Sequence, residues 1–281
     1  MLRVPLLLPG LTACIGVSER PAPSAPQRET PGAAATGARF SWPNGALAAV
    51  SLTYDDAIPT DLDVARPALD RHGLRATFFL TGSSPEVAKR ADEWKALGRQ
   101  GHELASHTMF HPCDRSFAWV KRGFALQDYD LDRMDRELQD SLALLRTLGA
   151  ERGPYTFAYP CGSTWIGEGR TSYVGLTEKY FLASRGLGGT VADPRTDPLA
   201  SIPAVSGDGK SGAELIAMVR AAVERSGWLV LVFHGVGGDY LTVDAGAHDA
   251  LLAYLDANRS TVWTDTFGAV AARIAAQRGQ L

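Results

Sequence analysis

The sequence has few cysteines, no long apolar run and no excess of charge of one sign, and each absence excludes a class of protein. It has three cysteines, Cys14, Cys113 and Cys161. No two of them have the C-x-x-C spacing that is found in structural zinc modules. No apolar run approaches the ~20 residues of a membrane-spanning helix. With 28 basic and 31 acidic residues the formal net charge is −3, and no basic patch indicates nucleic-acid binding. The 281 residues, 45% of them hydrophobic, are enough to bury one large core or two modest ones.

The N-terminal residues are predicted to be a targeting sequence rather than part of the folded domain. Residues 1–14 carry the basic Arg3, a short apolar stretch and Leu11-Thr12-Ala13-Cys14, which resembles a bacterial lipobox. Residues 15–38, rich in Pro, Ala, Ser and Thr, are predicted to be a disordered, flexible tether. We expect export to the bacterial cell envelope with a lipid anchor at Cys14. An ordinary cleaved signal, giving a periplasmic or secreted protein, or a misassigned start codon remain alternatives.

Residues 39–281 alternate strand-like and helix-like segments and are predicted to form one α/β domain. Continuous apolar runs such as 229–233 are typical of parallel strands covered on both faces. The predicted strands are 46–54, 76–81, 103–107, 156–159, 180–184, 201–205, 228–233 and 261–263. The predicted helices are 62–71, 85–99, 129–148, 213–225, 248–257 and 267–277.

Side chains that could bind a metal or transfer a proton repeatedly follow the predicted strands. His107 and His111 lie four residues apart after one strand, and Asp55 and Asp56 follow another. Strand ends of a parallel barrel meet at one face, so these groups are expected to converge. Two histidines and one carboxylate are the protein ligands of a catalytic metal site with an open position. His234 follows the predicted strand 228–233 in the same way. The competing interpretations are that the Asp pair caps a helix and that His234 has a structural role in the core.

Three segments resemble motifs of a known family. They are Thr53-Tyr54-Asp55-Asp56, His107-Thr108-Met109-Phe110-His111 and Val232-Phe233-His234-Gly235, which are similar to the first, second and fifth motifs of the polysaccharide deacetylase family, the NodB-homology domain. The resemblance implies a single distorted (β/α) barrel of about seven parallel strands. It also implies a metal-dependent hydrolase that removes N- or O-acetyl groups from glycans.

The resemblance also implies roles for individual residues. Asp56, His107 and His111 would bind the metal, usually zinc. Asp55 would be the general base and His234 the general acid, and the backbone N–H of Cys161 would help to stabilise the oxyanion.

Two family features are absent from their usual places. The family has an arginine that orients the base where this chain has Ala158, and we predict that Arg185 replaces it. The aspartate that supports the histidine acid has no clear match, and Asp208 and Asp265 are the candidates. Cys113 and Cys161 would lie at the pocket rim either as a disulfide or as two free thiols. His248, at the start of a predicted helix, is expected to face solvent.

These observations predict an acetylated oligo- or polysaccharide as substrate, Zn²⁺ as cofactor and a monomeric enzyme. Removal of N-acetyl groups is favoured. The alternatives are an O-acetyl esterase acting on xylan or a related polymer and a glycan-binding barrel without turnover.

Overall fold

A parallel sheet lies at the centre of residues 40–150 and 153–279, which are the residues that the computed structural model describes. The predicted segments 1–14 and 15–38, with Cys14, lie outside these residues, and so does their predicted boundary with the domain. In the described chain, no helix has the length and apolar composition needed to cross a membrane.

The helices and strands alternate as the sequence predicts. The strands are β1 (Ala48–Asp55), β2 (Thr77–Leu80), β3 (Glu103–Ser106), β4 (Thr156–Ala158), β5 (Trp165–Ile166), β6 (Thr171–Ser172), β7 (Ala183–Arg185), β8 (Val205–Ser206), β9 (Trp228–Phe233) and β10 (Val262–Thr264). The helices are α1 (Arg66–Arg71), α2 (Pro85–Lys89), α3 (Ala91–Arg99), α4 (Leu131–Thr147), α5 (Val174–Tyr180), α6 (Gly212–Arg225), α7 (Ala245–Ala257) and α8 (Phe267–Gln277). The four longest begin after side chains that accept a hydrogen bond from the first turn: Asp130, Ser211, Asp244 and Thr266.

The sheet curls into a barrel. Its strand order is β7-β4-β3-β2-β1-β9-β8, β10 also pairs with β1, and every pairing among these strands is parallel. A parallel bridge between Arg185 and Ile202 joins β7 to the segment that leads into β8. The predicted distorted (β/α) barrel of about seven parallel strands is therefore confirmed.

Some predicted boundaries are wrong. The predicted strand 180–184 is instead the end of α5 followed by β7, and the predicted helix 85–99 is divided at Arg90 into α2 and α3. The helix α5 and the antiparallel pair β5–β6 have no counterpart among the predicted segments. Short apolar runs such as Tyr180-Phe181-Leu182 have no clear period, so they do not distinguish a helix end from a strand.

Side chains alternate between the inside of the barrel and its helical coat. On β9, Trp228, Val230 and Val232 belong to the inner cluster, while Leu229 and Leu231 pack in the outer one. Since strand side chains have a period of two, residues that continue the inner set at strand ends also point into the barrel. The inner cluster includes four strand alanines, which leave room for long polar side chains: Ala49, Ala105, Ala158 and Ala183.

The N-terminal end of the barrel is closed by α8. The Phe267 ring packs 5.7 Å from Phe79 and 4.9 Å from Trp228, measured between ring centroids. Glu103 accepts hydrogen bonds from the Thr77 hydroxyl at 2.8 Å and from the backbone N–H of Gly268 at 2.8 Å. Side chains therefore fill the N-terminal end of the barrel interior.

Candidate metal centre and active site

The C-terminal end of the barrel holds the side chains of the predicted site. Asp55 is the last residue of β1 and Arg185 the last of β7, while His107 and His234 directly follow β3 and β9. Each continues the inner set of its strand, as His234 does after Val230 and Val232. The period of two therefore turns all four into the barrel.

Three donor groups lie close enough together to share one ion. One donor atom each from Asp56, His107 and His111 lies within 4.8 Å of the others. Asp56 Oδ1 is 3.4 Å from His111 Nε2 and 3.7 Å from His107 Nε2. Two imidazole nitrogens and one carboxylate oxygen match the donor set of a catalytic zinc site. The residues therefore fit the ion that the sequence predicts.

Both histidines present Nε2 to this cluster. His107 Nδ1 lies 2.8 Å from the carbonyl oxygen of Ala158, which must accept a proton from it, so Nε2 keeps its lone pair. His111 Nδ1 faces Cys113 Sγ at 3.6 Å. Burial lowers the pKa of His107 to about 4, although the Asp55 charge works in the opposite direction. His107 is thus neutral at physiological pH, and its Nε2 lone pair is available to an ion.

Two hydroxyl groups orient the Asp56 carboxylate. Thr81 Oγ1 donates to Oδ1 at 3.2 Å and Tyr240 OH donates to Oδ2 at 2.6 Å. Burial acts to raise the pKa of Asp56, but His111, His107 and the Tyr240 hydrogen bond outweigh it and lower the pKa to about 2. The backbone of Asp56 adopts φ of 78°, a conformation that non-glycine residues rarely hold.

Asp55 and Arg185 form a buried ion pair. Arg185 Nη2 donates to Asp55 Oδ2 at 2.5 Å, and the two residues are 3% and 1% exposed. Arg185 is the register partner of Ala158 on the neighbouring strand, so the two residues share one face of the sheet. Ala158 has only a methyl group on this face, and the guanidinium that contacts Asp55 comes from β7. The other carboxylate oxygen, Asp55 Oδ1, is buried without a hydrogen-bond partner among the described residues.

His234 is supported by Asp208. His234 Nδ1 lies 3.2 Å from Asp208 Oδ2, and the same oxygen accepts a hydrogen bond from Ser206 Oγ at 2.8 Å. Burial acts to lower the pKa of His234, but Asp208, Asp55 and Asp56 together raise it above the usual value. Asp265, the other candidate for this support, lies at the opposite end of the barrel.

A disulfide joins two loops of the site. Cys113 and Cys161 are bonded, with their Cα atoms 5.9 Å apart, which decides the alternative that the sequence left open. Cys113 lies two residues after His111, and Cys161 lies in the turn after β4 with φ of 52°. The loop that carries His111 and the predicted oxyanion loop are therefore covalently connected.

Comparisons with known proteins show which families and folds the chain resembles. Residues 44–169 match the family described as polysaccharide deacetylase. This match covers 126 of the 281 residues and supports assignment of the chain to the polysaccharide deacetylase family. Among curated relatives, a gellan lyase from Bacillus sp is 26% identical over 253 residues, which cover 81% of this chain and 9% of the lyase.

Two curated deacetylases match a shorter stretch of the chain. A peptidoglycan-N-acetylglucosamine deacetylase from Bacillus cereus is 38% identical over 68 residues, covering 23% of this chain and 23% of the relative. A chitooligosaccharide deacetylase from Bradyrhizobium sp. is 40% identical over 68 residues, covering 22% of this chain and 28% of the relative. The chain thus spans less than a third of each curated relative.

Solved structures share the deacetylase fold. A putative polysaccharide deacetylase from Mycobacterium smegmatis superposes with a TM-score of 0.59 at 19% identity, covering 86% of this chain and 95% of that one. A CE4 family pseudoenzyme from Bacillus anthracis gives a TM-score of 0.52 at 17% identity, covering 79% and 65%. The family fold is therefore shared by proteins described as deacetylases and as pseudoenzymes.

The sequence motifs of the family did not indicate every group in this site. Tyr240 and Thr81, which hold Asp56, lie outside them, although Tyr240 follows the His234-Gly235 motif within a glycine-rich loop. His248, expected to face solvent, is fully buried, with Nε2 2.6 Å from Tyr54 OH. The reason is that α7 begins three residues before it and turns His248 towards β1.

Proposed function

We propose that this deacetylase-family protein removes N-acetyl groups from a glycan with the help of a divalent metal, most simply Zn²⁺. The observation that supports this most strongly is the convergence of a metal-type donor set with a separate buried carboxylate, Asp55, and a histidine, His234. A structural metal site has no use for these two additional groups.

The chemistry assigned to each residue follows from its contacts. A divalent ion bound by Asp56, His107 and His111 would polarise the acetyl carbonyl and make a water molecule more acidic. Asp55 takes the proton from the attacking water, and its pairing with Arg185 fixes the orientation of the carboxylate. His234, whose Nε2 lies 3.9 Å from Asp56 Oδ2, donates a proton to the leaving amine. In this proposal the N–H of Cys161 donates to the oxygen of the tetrahedral intermediate.

The preference for N-acetyl groups rests on the two deacetylases, whose names refer to N-acetylglucosamine and chitooligosaccharide. An O-acetyl esterase is the second candidate, because the same groups can cleave an ester. The glycan-binding alternative relied on the absence of the family's arginine and aspartate, and Arg185 and Asp208 now occupy the corresponding contacts.

Acetate release from a panel of substrates tests the proposal. Peptidoglycan, chitin oligomers and acetylxylan are incubated with the metal-loaded protein, with and without chelator. We expect release from an N-acetylated glycan that stops on chelation and returns with Zn²⁺. Release from acetylxylan alone would favour the esterase. Binding to a glycan without any release would contradict both enzymatic proposals.

A pair of exposed aromatic rings beside the metal ligands is suited to a sugar ring. Trp119 is 57% exposed, stacks on Phe117 at 5.6 Å and lies 5.8 Å from the His111 ring. Replacing Trp119 by alanine should raise KM for an oligosaccharide about 3- to 10-fold, since such a contact contributes roughly 0.5–1.5 kcal/mol. Steady-state kinetics measure this, with Leu47→Ala, an exposed residue at the other end of the barrel, as the control.

The pH profile should report the Asp208–His234 contact. His234 has to be protonated to act as an acid, so the rate falls as pH rises through its raised pKa. Asp208→Asn removes a negative charge that raises this pKa, and the alkaline limb of kcat/KM should therefore move to lower pH. Asp265→Asn, at the far end of the barrel, should leave the limb in place. An unchanged limb in Asp208→Asn would exclude His234 as the titrating acid.

We also propose that the protein is exported and acts as a monomer in the cell envelope, anchored through Cys14. The lipobox-like sequence supports this location. So does the Cys113–Cys161 disulfide, because such bonds persist mainly in oxidising compartments.

A further inference from the structure

The loop that follows β9 contacts the metal-binding aspartate. This loop, residues 235–243, contains Tyr240, whose hydroxyl donates to Asp56 Oδ2 at 2.6 Å. Backbone hydrogen bonds fold the loop back on itself, from Gly235 N to the Tyr240 carbonyl at 3.1 Å and from Val243 N to the Gly235 carbonyl at 2.8 Å. Gly235 has no space for a side chain, since a Cβ atom there would lie 1.9 Å from the Gly238 carbonyl oxygen.

The same loop is attached to the segment that follows Asp55 and Asp56. The backbone N–H of Thr60 donates to the Asp239 carboxylate at 3.1 Å, and Val236 N donates to Thr60 Oγ1 at 3.3 Å. These bonds hold the loop that carries Tyr240 against the segment that follows the Asp56 carboxylate. Hydrogen bonds within the loop and hydrogen bonds from the loop to Thr60 therefore both fix the position of Tyr240 beside Asp56.

The two oxygens of Asp56 have different surroundings. Oδ1 faces the Nε2 atoms of His111 and His107 at 3.4 and 3.7 Å. Oδ2 is bonded to the Tyr240 hydroxyl, and His234 Nε2 lies 3.9 Å from it. A carboxylate free to rotate could offer either oxygen or both to an ion. Oδ1 accepts the longer bond from Thr81 at 3.2 Å, and the shorter Tyr240 bond on Oδ2, at 2.6 Å, restricts that choice.

We propose that Tyr240 is a positioning residue of the metal site, whose hydroxyl holds Asp56 so that Oδ1 alone is presented to the ion. Hydrogen bonds to ligand atoms of this kind set the orientation and affinity of metal ligands. The inference rests on the proposed metal-dependent function. It adds that the loop after the histidine acid, outside the family's motifs, determines how the metal is held.

Two tyrosine variants distinguish this role from a structural one. Tyr240 is 51% exposed, so Tyr240→Phe removes the hydroxyl without opening a cavity in the core. Tyr180, at the end of α5, is a matched control, because its hydroxyl donates to a carboxylate away from the site, that of Asp135 on α4, at 2.8 Å. Zn²⁺ affinity is measured by competition with a chromophoric chelator, and the ligand field by the visible spectrum of the Co²⁺ form.

Tyr240→Phe should weaken Zn²⁺ binding roughly 10- to 100-fold and change the Co²⁺ absorption bands. Tyr180→Phe should match the unmodified protein in both measurements. Affinity and spectrum equal to those of the unmodified protein, or tighter binding, would overturn the inference. If the unmodified protein binds no Zn²⁺, both the inference and the proposed function fail. If it binds Zn²⁺ but releases no acetate from any glycan, only the proposed function fails, and the Tyr240 comparison still decides the inference.

Discussion

Replacing Asp55 by asparagine should lower acetate release by roughly 10²- to 10⁴-fold, the range that general acid–base catalysis typically contributes. Asparagine has nearly the same shape but cannot take a proton from water. Asp55 is adjacent to the metal donor set rather than part of it, so Zn²⁺ affinity should be largely retained. The two measurements are acetate release at saturating Zn²⁺ and Zn²⁺ binding by competition.

Asp56→Asn is the matched variant for that experiment. It changes the neighbouring residue, which belongs to the donor set, so it should weaken metal binding as well as activity. Comparison of the two variants separates loss of the base from loss of the ion. Acetate release by Asp55→Asn within about tenfold of the unmodified rate would exclude Asp55 as the general base.

Replacing Arg185 by methionine should lower the free energy of unfolding by roughly 3–5 kcal/mol, because the Asp55 charge would remain buried without its partner. Arg185 is 1% exposed and its guanidinium donates directly to the carboxylate. Methionine keeps much of the apolar stem, so the effect reports the charge more than the packing. Urea denaturation at neutral pH measures it.

A double variant shows whether the pair is responsible. Asp55→Asn combined with Arg185→Met removes both charges and should be less destabilised than Arg185→Met alone. Arg195→Met breaks an exposed pair with Asp193 and should cost under about 1 kcal/mol. If Arg185→Met were no more destabilising than Arg195→Met, the buried Asp55–Arg185 pair would contribute no more to the free energy of unfolding than an exposed pair.

The fold was predictable because its signals are local. β9 and α8 have the boundaries that their apolar patterns predict, and the strand–helix alternation correctly indicates a parallel barrel. The exceptions are short. Three-residue β7 and seven-residue α5 contain too few positions to show a period, and tertiary pairing with β4 determines where β7 lies.

The site was predictable only for residues that belong to a sequence motif at the end of a strand. Asp55, His107 and His234 follow from their places in the motifs. The position of Arg185 beside Asp55 depends on the register between β4 and β7, which no single segment of sequence contains. The contact of Tyr240 depends on how residues 235–243 fold back over the site, and that requires the three-dimensional structure.

The backbone at the site has an evolutionary consequence. Five residues around the candidate metal site hold backbone conformations with positive φ: Asp56, Ala57, Thr108, His111 and Cys161. Each such conformation costs roughly 1–2 kcal/mol in a residue with a side chain, and glycine would avoid most of that cost. Glycine at Asp56 or His111 would remove a donor, so stability and the proposed activity make opposite demands at these two positions. If the proposed activity were lost in a descendant of this chain, glycine could be acquired at these positions, and such glycines would record the loss.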